Sequence, residues 1–147
     1  MAFPVPLTMV RGGGASFHGT AVSERGRALA FVGPSRSGKS GLAAQAVRLG
    51  AKLVADDLCL VARRGDAVVV SCPAGHEGRL ELRGIGLVTV PAGAPAPLAG
   101  VWSIEASPAR LPEDATVDVL GVPIPLLRHP ASPDAAAKAL VWLASDG

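Results

Sequence analysis

The run RALAFVGPSRSGKS, residues 27 to 40, constrains the fold more than any other stretch of the chain. Leu29 to Val32 is apolar and β-branched at its end, as a buried strand requires, and it leads into Gly33-x-x-x-x-Gly38-Lys39-Ser40. That is the complete GxxxxGK[ST] phosphate-loop pattern. Successive backbone N–H groups must curl around a phosphate, which favours small residues, and the N-terminus of the next helix adds a favourable dipole. Gly33, Pro34, Ser35, Arg36, Ser37, Gly38, Lys39 and Ser40 therefore form the expected nucleotide-binding loop. Within it Lys39 reaches the outer phosphates, and the Ser40 hydroxyl is a candidate magnesium ligand. Leu42, Ala43, Ala46, Val47 and Leu49 then recur at helical spacing before Gly50, so the spacing predicts a helix over 39–49.

The whole chain sets the class. Its 147 residues favour one domain, with 49% hydrophobic and only 18% charged residues. Lys plus Arg number 14 against 12 Asp plus Glu, a dispersed net charge of +2, and tyrosine is absent. Neither a basic stripe nor a set of stacking aromatics argues for nucleic acid. Cys59 and Cys72 form no CxxC pair and read as core thiols. The first residues carry Pro4 and Pro6 without a secretory pattern, and no apolar run is long enough to span a membrane. A cytoplasmic enzyme using intracellular nucleotide is the simplest class.

Taken in order, residues 1–14 read as an edge segment with a flexible GGG turn. A strand over 15–22 then returns through a tight connection into 27–32, and pairing Val22 with Arg27 puts His18 opposite Phe31. That register brings His18 to the end of the sheet from which the loop emerges. There it is a candidate for phosphate contact or proton movement, against a plain structural histidine at a strand end. Lys52 to Ala55 reads as a strand entering the same parallel core and ending in Asp56-Asp57. Ligands in open α/β sheets bind beyond the C-terminal ends of strands. Two adjacent acids there can divide the work, one accepting a proton from an attacking hydroxyl and the other positioning magnesium. Because strand side chains alternate, one of the two must turn at the strand end.

Arg63-Arg64-Gly65-Asp66 reads as a solvated hairpin turn, and His76 as a solvent-facing or structural residue in the loop 72–78. In Leu80-Glu81-Leu82-Arg83-Gly84-Ile85-Gly86-Leu87, Glu81 and Arg83 fall on one side of an extended segment and Leu80 and Leu82 on the other. Glu81 can complete a magnesium environment and Arg83 can organise carboxylates or phosphate; a surface ion pair explains both equally well. Residues 91–100 read as a loop, 101–106 and 121–127 as strands, and 134–143 as an amphipathic helix.

SFHGTAV at 16–22, GPSRSGKS at 33–40, LVADD at 53–57 and LELRGIG at 80–86, in that order, resemble the catalytic domain of the bacterial HPr kinase/phosphorylase family, especially its short proteobacterial forms. The resemblance implies an α/β fold of the HPr kinase/phosphoenolpyruvate carboxykinase-like type, with a mixed central sheet and flanking helices. It implies a single catalytic domain over 1–147 without the family's separate N-terminal domain. It also implies ATP- and magnesium-dependent phosphorylation of a serine of the phosphocarrier protein HPr, with removal of that phosphate by phosphorolysis in many members. Carried over residue by residue, it puts the active histidine at His18, the phosphate lysine at Lys39 and catalytic acids at Asp56 and Asp57. The metal set falls on Ser40, Asp57 and Glu81, and the signature that shapes the site on Arg83, Gly84 and Gly86.

The chain departs from the family pattern in places. Pro34 and Arg36 stand where family loops often have an acidic residue and a glycine. The Pro-Gly-Arg-Asn motif of longer members is missing, which leaves Arg128 as the counterpart of its arginine. The resemblance implies contact with protein substrate or another subunit through the C-terminal helix, and so allows a homo-oligomer. A carboxykinase-like transferase acting on a small metabolite and a non-catalytic nucleotide-dependent regulator remain open as alternatives.

Overall fold

The computed structural model of the protein describes residues 2–106 and 115–145. Strand β1 (Thr8–Met9) pairs antiparallel with β2 (Ala15–His18), and β3 (Thr20–Glu24) turns back into β4 (Arg27–Val32). The turn residues Arg25 and Gly26 have φ of 53° and 75°, the mirror-image hairpin geometry whose twist matches its strands.

The single strand expected over 15–22 is in fact two. Thr20, not His18, stands opposite Phe31, and His18 pairs with Leu58 on β6 (Leu58–Arg64). Gly19 explains the break. A Cβ there would lie 2.9 Å from the Phe31 carbonyl oxygen and 3.0 Å from the Phe17 ring, so glycine alone lets the chain cross from one strand partner to another.

After β4 come the loop and helix α1 (Lys39–Arg48), then β5 (Lys52–Ala55). β5 hydrogen-bonds antiparallel to β3 rather than entering a parallel core directly, because the β3–β4 hairpin occupies the intervening position. β6 and β7 (Ala67–Ser71) form the hairpin expected around Gly65-Asp66. β8 (Arg79–Leu82) and β9 (Gly86–Thr89) make a separate two-stranded sheet. Arg83 is therefore at the tip of a hairpin, not in the extended segment that would set it beside Glu81.

β10 (Ala96–Ile104) begins inside the stretch expected to be a loop, and organises the sheet. Its start pairs antiparallel with β7, its middle runs parallel to β4, and its end runs parallel to β12 (Val122–His129), which also pairs with β11 (Thr116–Val119). The order β1-β2-β6-β7-β10-β4-β3-β5, with β12 branching from β10, is a mixed sheet. In the parallel trio, Val32, Ser103 and Arg128 are in register, so three strand C-termini share the edge from which the phosphate loop leaves.

Two apolar clusters lie on the two sides of this trio. One joins Phe17, Val61, Val70, Val101 and Ile124 between the halves of the sheet. The other packs Leu29, Phe31 and Trp102 against α1 and the terminal helix α2 (Ala135–Ala144). Gly100 makes room in the second: a Cβ there would lie 2.5 Å from the Trp142 ring. Arg27 donates to the carbonyls of Leu143 and Ser145, satisfying the end of α2. Among the described residues no helix is long and apolar enough to cross a membrane.

Candidate active site

β4 is buried from Ala28 to Val32, so the loop springs from a rigid support. The Ser37 N–H donates to the Pro34 carbonyl at 3.1 Å, and Gly38 enters α1 with φ of 104°. Arg36 also has a positive φ, 67°, the backbone that a glycine at this position adopts without strain. Lys39 folds back over the loop and donates to the carbonyls of Gly33 and Pro34, each at 3.0 Å. The first turn of α1 carries no acidic residue, leaving its N-terminal dipole open to an anion. Ser37 Oγ is buried without a hydrogen-bond partner and sits 2.8 Å from where a Gly33 Cβ would be. A tight cradle with an unsatisfied hydroxyl, at the start of a helix that has no side-chain cap, fits a polyphosphate.

The two adjacent acids part company at the end of β5. Asp56 Oδ1 accepts from Ser40 Oγ at 2.9 Å and from Thr20 Oγ1 at 3.0 Å, and its Oδ2 accepts from the Glu81 backbone N–H at 3.0 Å. Asp57 has φ of 70°, and the Leu58 N–H reaches over it to the Asp56 carbonyl at 2.8 Å. This is a γ-turn of the strained, positive-φ kind. The turn swings the Asp57 side chain out of the alternation and toward His18, Oδ1 to Nδ1 3.8 Å, with the two side chains 86% and 79% exposed. The Gly19 N–H donates to the Asp57 carbonyl at 3.1 Å and holds the two strand ends together.

The loop, His18, Asp56, Asp57 and the start of the β8–β9 hairpin are thus one locality. His18 arrives there through its pairing with β6, a route different from the expected register. Ser40, expected to share a metal with Asp57 and Glu81, makes its contact with Asp56. Among the described residues no three His, Cys, Asp or Glu side chains converge on one point. Magnesium needs few protein ligands, since it takes hard oxygen donors and keeps water and phosphate oxygens in its shell, so the Ser40–Asp56 oxygen pair fits it. Glu81 and Arg83 are exposed. Arg128 lies at the same strand edge, two strands from β4, where its Nε and Nη2 donate to Glu105 Oε1 at 3.1 and 2.8 Å.

Thr20 and Glu105 carried no expectation from the sequence. Thr20 follows Gly19 within SFHGTAV, and its significance appears only when β3 brings it beside Asp56. Under the acids, burial foremost and then the Asp56 charge push the Cys59 thiol well above its ordinary range, leaving it protonated.

Strand, glycine-bounded loop, helix and a carboxylate on the loop serine define a phosphate-loop α/β domain built on a mixed sheet. A family model described as "HPr Serine kinase C-terminal domain" matches residues 13–93, and the chain belongs to that family. It is similar to the HPr kinase/phosphorylase of Prosthecochloris aestuarii, 33% identical over 138 residues covering 80% of this chain and 38% of that protein. The HPr kinase/phosphorylase of Mycoplasmopsis pulmonis is 37% identical over 73 residues, covering 50% of this chain and 24% of that one. The chain therefore spans well under half the length of these curated relatives. Its fold is similar to the Hpr(Ser) kinase/phosphatase of Coxiella burnetii, with a TM-score of 0.73 at 22% identity, covering 87% of each chain.

Proposed function

We propose that this domain transfers the γ-phosphoryl group of ATP to a serine hydroxyl of an HPr-type phosphocarrier protein, in the cytoplasm and with magnesium. The observation that carries the reading is the split between Asp56, bonded to Ser40 behind the phosphate loop, and Asp57, exposed and turned to His18. The names of the relatives support the choice of acceptor.

Loop N–H groups and Lys39 bind the β- and γ-phosphates, Lys39 exchanging two neutral carbonyls for anionic oxygens, which are stronger acceptors. Ser40 and Asp56 would hold magnesium, with Glu81 on the adjoining hairpin as a further carboxylate. When bound, the ion supplies charge neutralisation at the transferring phosphoryl group. Asp57 takes the proton of the incoming serine as the new O–P bond forms and the bond to the ADP oxygen breaks, and His18 orients that carboxylate. In the opposite direction the protonated Asp57 returns its proton to serine as inorganic phosphate attacks phosphoserine. Arg83 flanks the acceptor's approach from the hairpin tip. Arg128 acts on phosphate only by leaving Glu105.

The test is to mix the purified protein with ATP, magnesium and an HPr-type carrier and to locate new phosphate by mass spectrometry. Serine modification that disappears with Lys39→Ala or with chelation of magnesium is the expected result. Nucleotide binding without transfer assigns the domain to regulation instead. Supplying phosphoserine-carrier with inorganic phosphate and assaying pyrophosphate tests the reverse step.

A further inference from the structure

The β8–β9 hairpin carries an apolar pair that the transfer chemistry does not use. Its register pairs Arg79 with Thr89 and Glu81 with Leu87, so these four share the outer face. Leu80, Leu82 and Val88 point the other way and pack against the helix-side cluster. Leu87 is 57% exposed on that outer face, directly beside Glu81, and Ile85 at the tip is 79% exposed. The hairpin is not a loose arm. The Glu81 N–H is fixed to Asp56, the Val90 N–H donates to the Gly78 carbonyl at 2.8 Å, and the Ile85 N–H closes the tip on the Leu82 carbonyl at 2.9 Å.

We propose that Ile85 and Leu87 are the docking surface for the protein acceptor, which meets them with an apolar patch beside its reactive serine. This rests on the kinase reading above. Leu87 stands directly opposite Glu81 in the hairpin register, and the Glu81 N–H is bonded to Asp56, the neighbour of Asp57, so a small domain offering a serine to Asp57 also covers Leu87 and the adjoining tip. A small-molecule acceptor would not extend that far. A second copy of this chain seated on Leu87 would close the approach beside Glu81 that any acceptor needs. Arg83 at the tip and Arg79 at the base bracket the apolar pair, both exposed. The matching partner surface is therefore apolar at its centre with carboxylates at its rim, the usual anatomy of a transient interface.

The experiment compares the wild-type chain with the Ile85→Ser/Leu87→Ser double variant. Calorimetry gives the Kd for an HPr-type carrier in the presence of magnesium and a non-hydrolysable ATP analogue. Transfer assays give KM and kcat, and nucleotide Kd and Tm are measured alongside. The expected result is a tenfold or greater rise in carrier Kd and KM, with kcat, nucleotide Kd and Tm unchanged and with affinity restored in Ile85→Leu/Leu87→Ile. Carrier affinity unchanged within twofold overturns the inference, as does a wild-type dimer that the variant dissociates without weakening carrier binding. Hairpin-dependent carrier binding without transfer leaves the docking surface standing and removes the kinase reading. A wild-type chain that neither binds nor phosphorylates the carrier removes both.

Discussion

The Ser40 hydroxyl and the Asp56 carboxylate meet at 2.9 Å, joining the first turn of α1 to the end of β5. With Thr20 and the Glu81 N–H, three elements converge on one side chain. Asp56→Asn keeps the shape but replaces an acceptor with a donor facing other donors. Transfer should fall by on the order of 100- to 1,000-fold, the usual cost of deleting one preorganised electrostatic contact. The magnesium concentration for half-maximal rate should rise as well. Thr20→Ala removes one hydrogen bond and should cost about 1 kcal/mol of stability. Rate against magnesium concentration and urea unfolding check these outcomes.

Asp57 is held where its backbone is strained, at φ of 70°. Glycine accepts that backbone freely, so Asp57→Gly should raise stability by roughly 1 kcal/mol. The same change removes the proposed proton acceptor and should lower transfer by about 100-fold or more. Asp57→Ala should lose the activity without the gain in stability. Parallel unfolding and transfer measurements on both variants separate strain from chemistry.

Gly100 faces the Trp142 ring at a distance no Cβ tolerates. Gly100→Ala should destabilise by about 1–3 kcal/mol through overpacking. Trp142→Leu in the same chain should return part of that loss, because the two sites share one space. Thermal unfolding of the two single variants and the double variant gives the coupling.

Cys59 is fully buried, and burial is the chief cause of its raised thiol pKa, whereas Cys72 is partly exposed. A thiol reagent should label Cys72 in the native protein and Cys59 only on unfolding. The linkage has a definite sign. Below about pH 9, the ordinary thiol value, both states keep the Cys59 proton and it contributes nothing to pH dependence. Above it the unfolded chain loses the proton while the folded chain keeps it, so stability should fall by about 1.4 kcal/mol per pH unit. Cys59→Ala should remove that part of the alkaline slope in urea titrations.

Much of this arrangement is written locally. The loop and α1 follow from a contiguous pattern, and the β6–β7 and β3–β4 turns from glycines next to polar residues. The need for one acid to leave the strand alternation also follows from adjacency alone, and Asp57 meets it with a γ-turn. What sequence periodicity misses is pairing over distance. Ala15 to Val22 reads as one strand because both halves are apolar. The break at Gly19 comes from the Phe31 carbonyl, which belongs to another strand. Residues 91–100 read as a loop because of their prolines and glycine, yet Ala96 onward is strand because β7 and β4 supply partners. Thr20 and Glu105 likewise acquire meaning only from side chains brought to them by the sheet.

The matched family segment ends at residue 93, while β10 begins at Ala96. A fragment cut at that boundary would keep every candidate site residue except Arg128. It would strip β4 of its parallel neighbour and leave Leu29 and Phe31 without the Trp102 wall and α2. The candidate site residues and the packing that supports them therefore occupy different lengths of chain, and β10 belongs to the longer one.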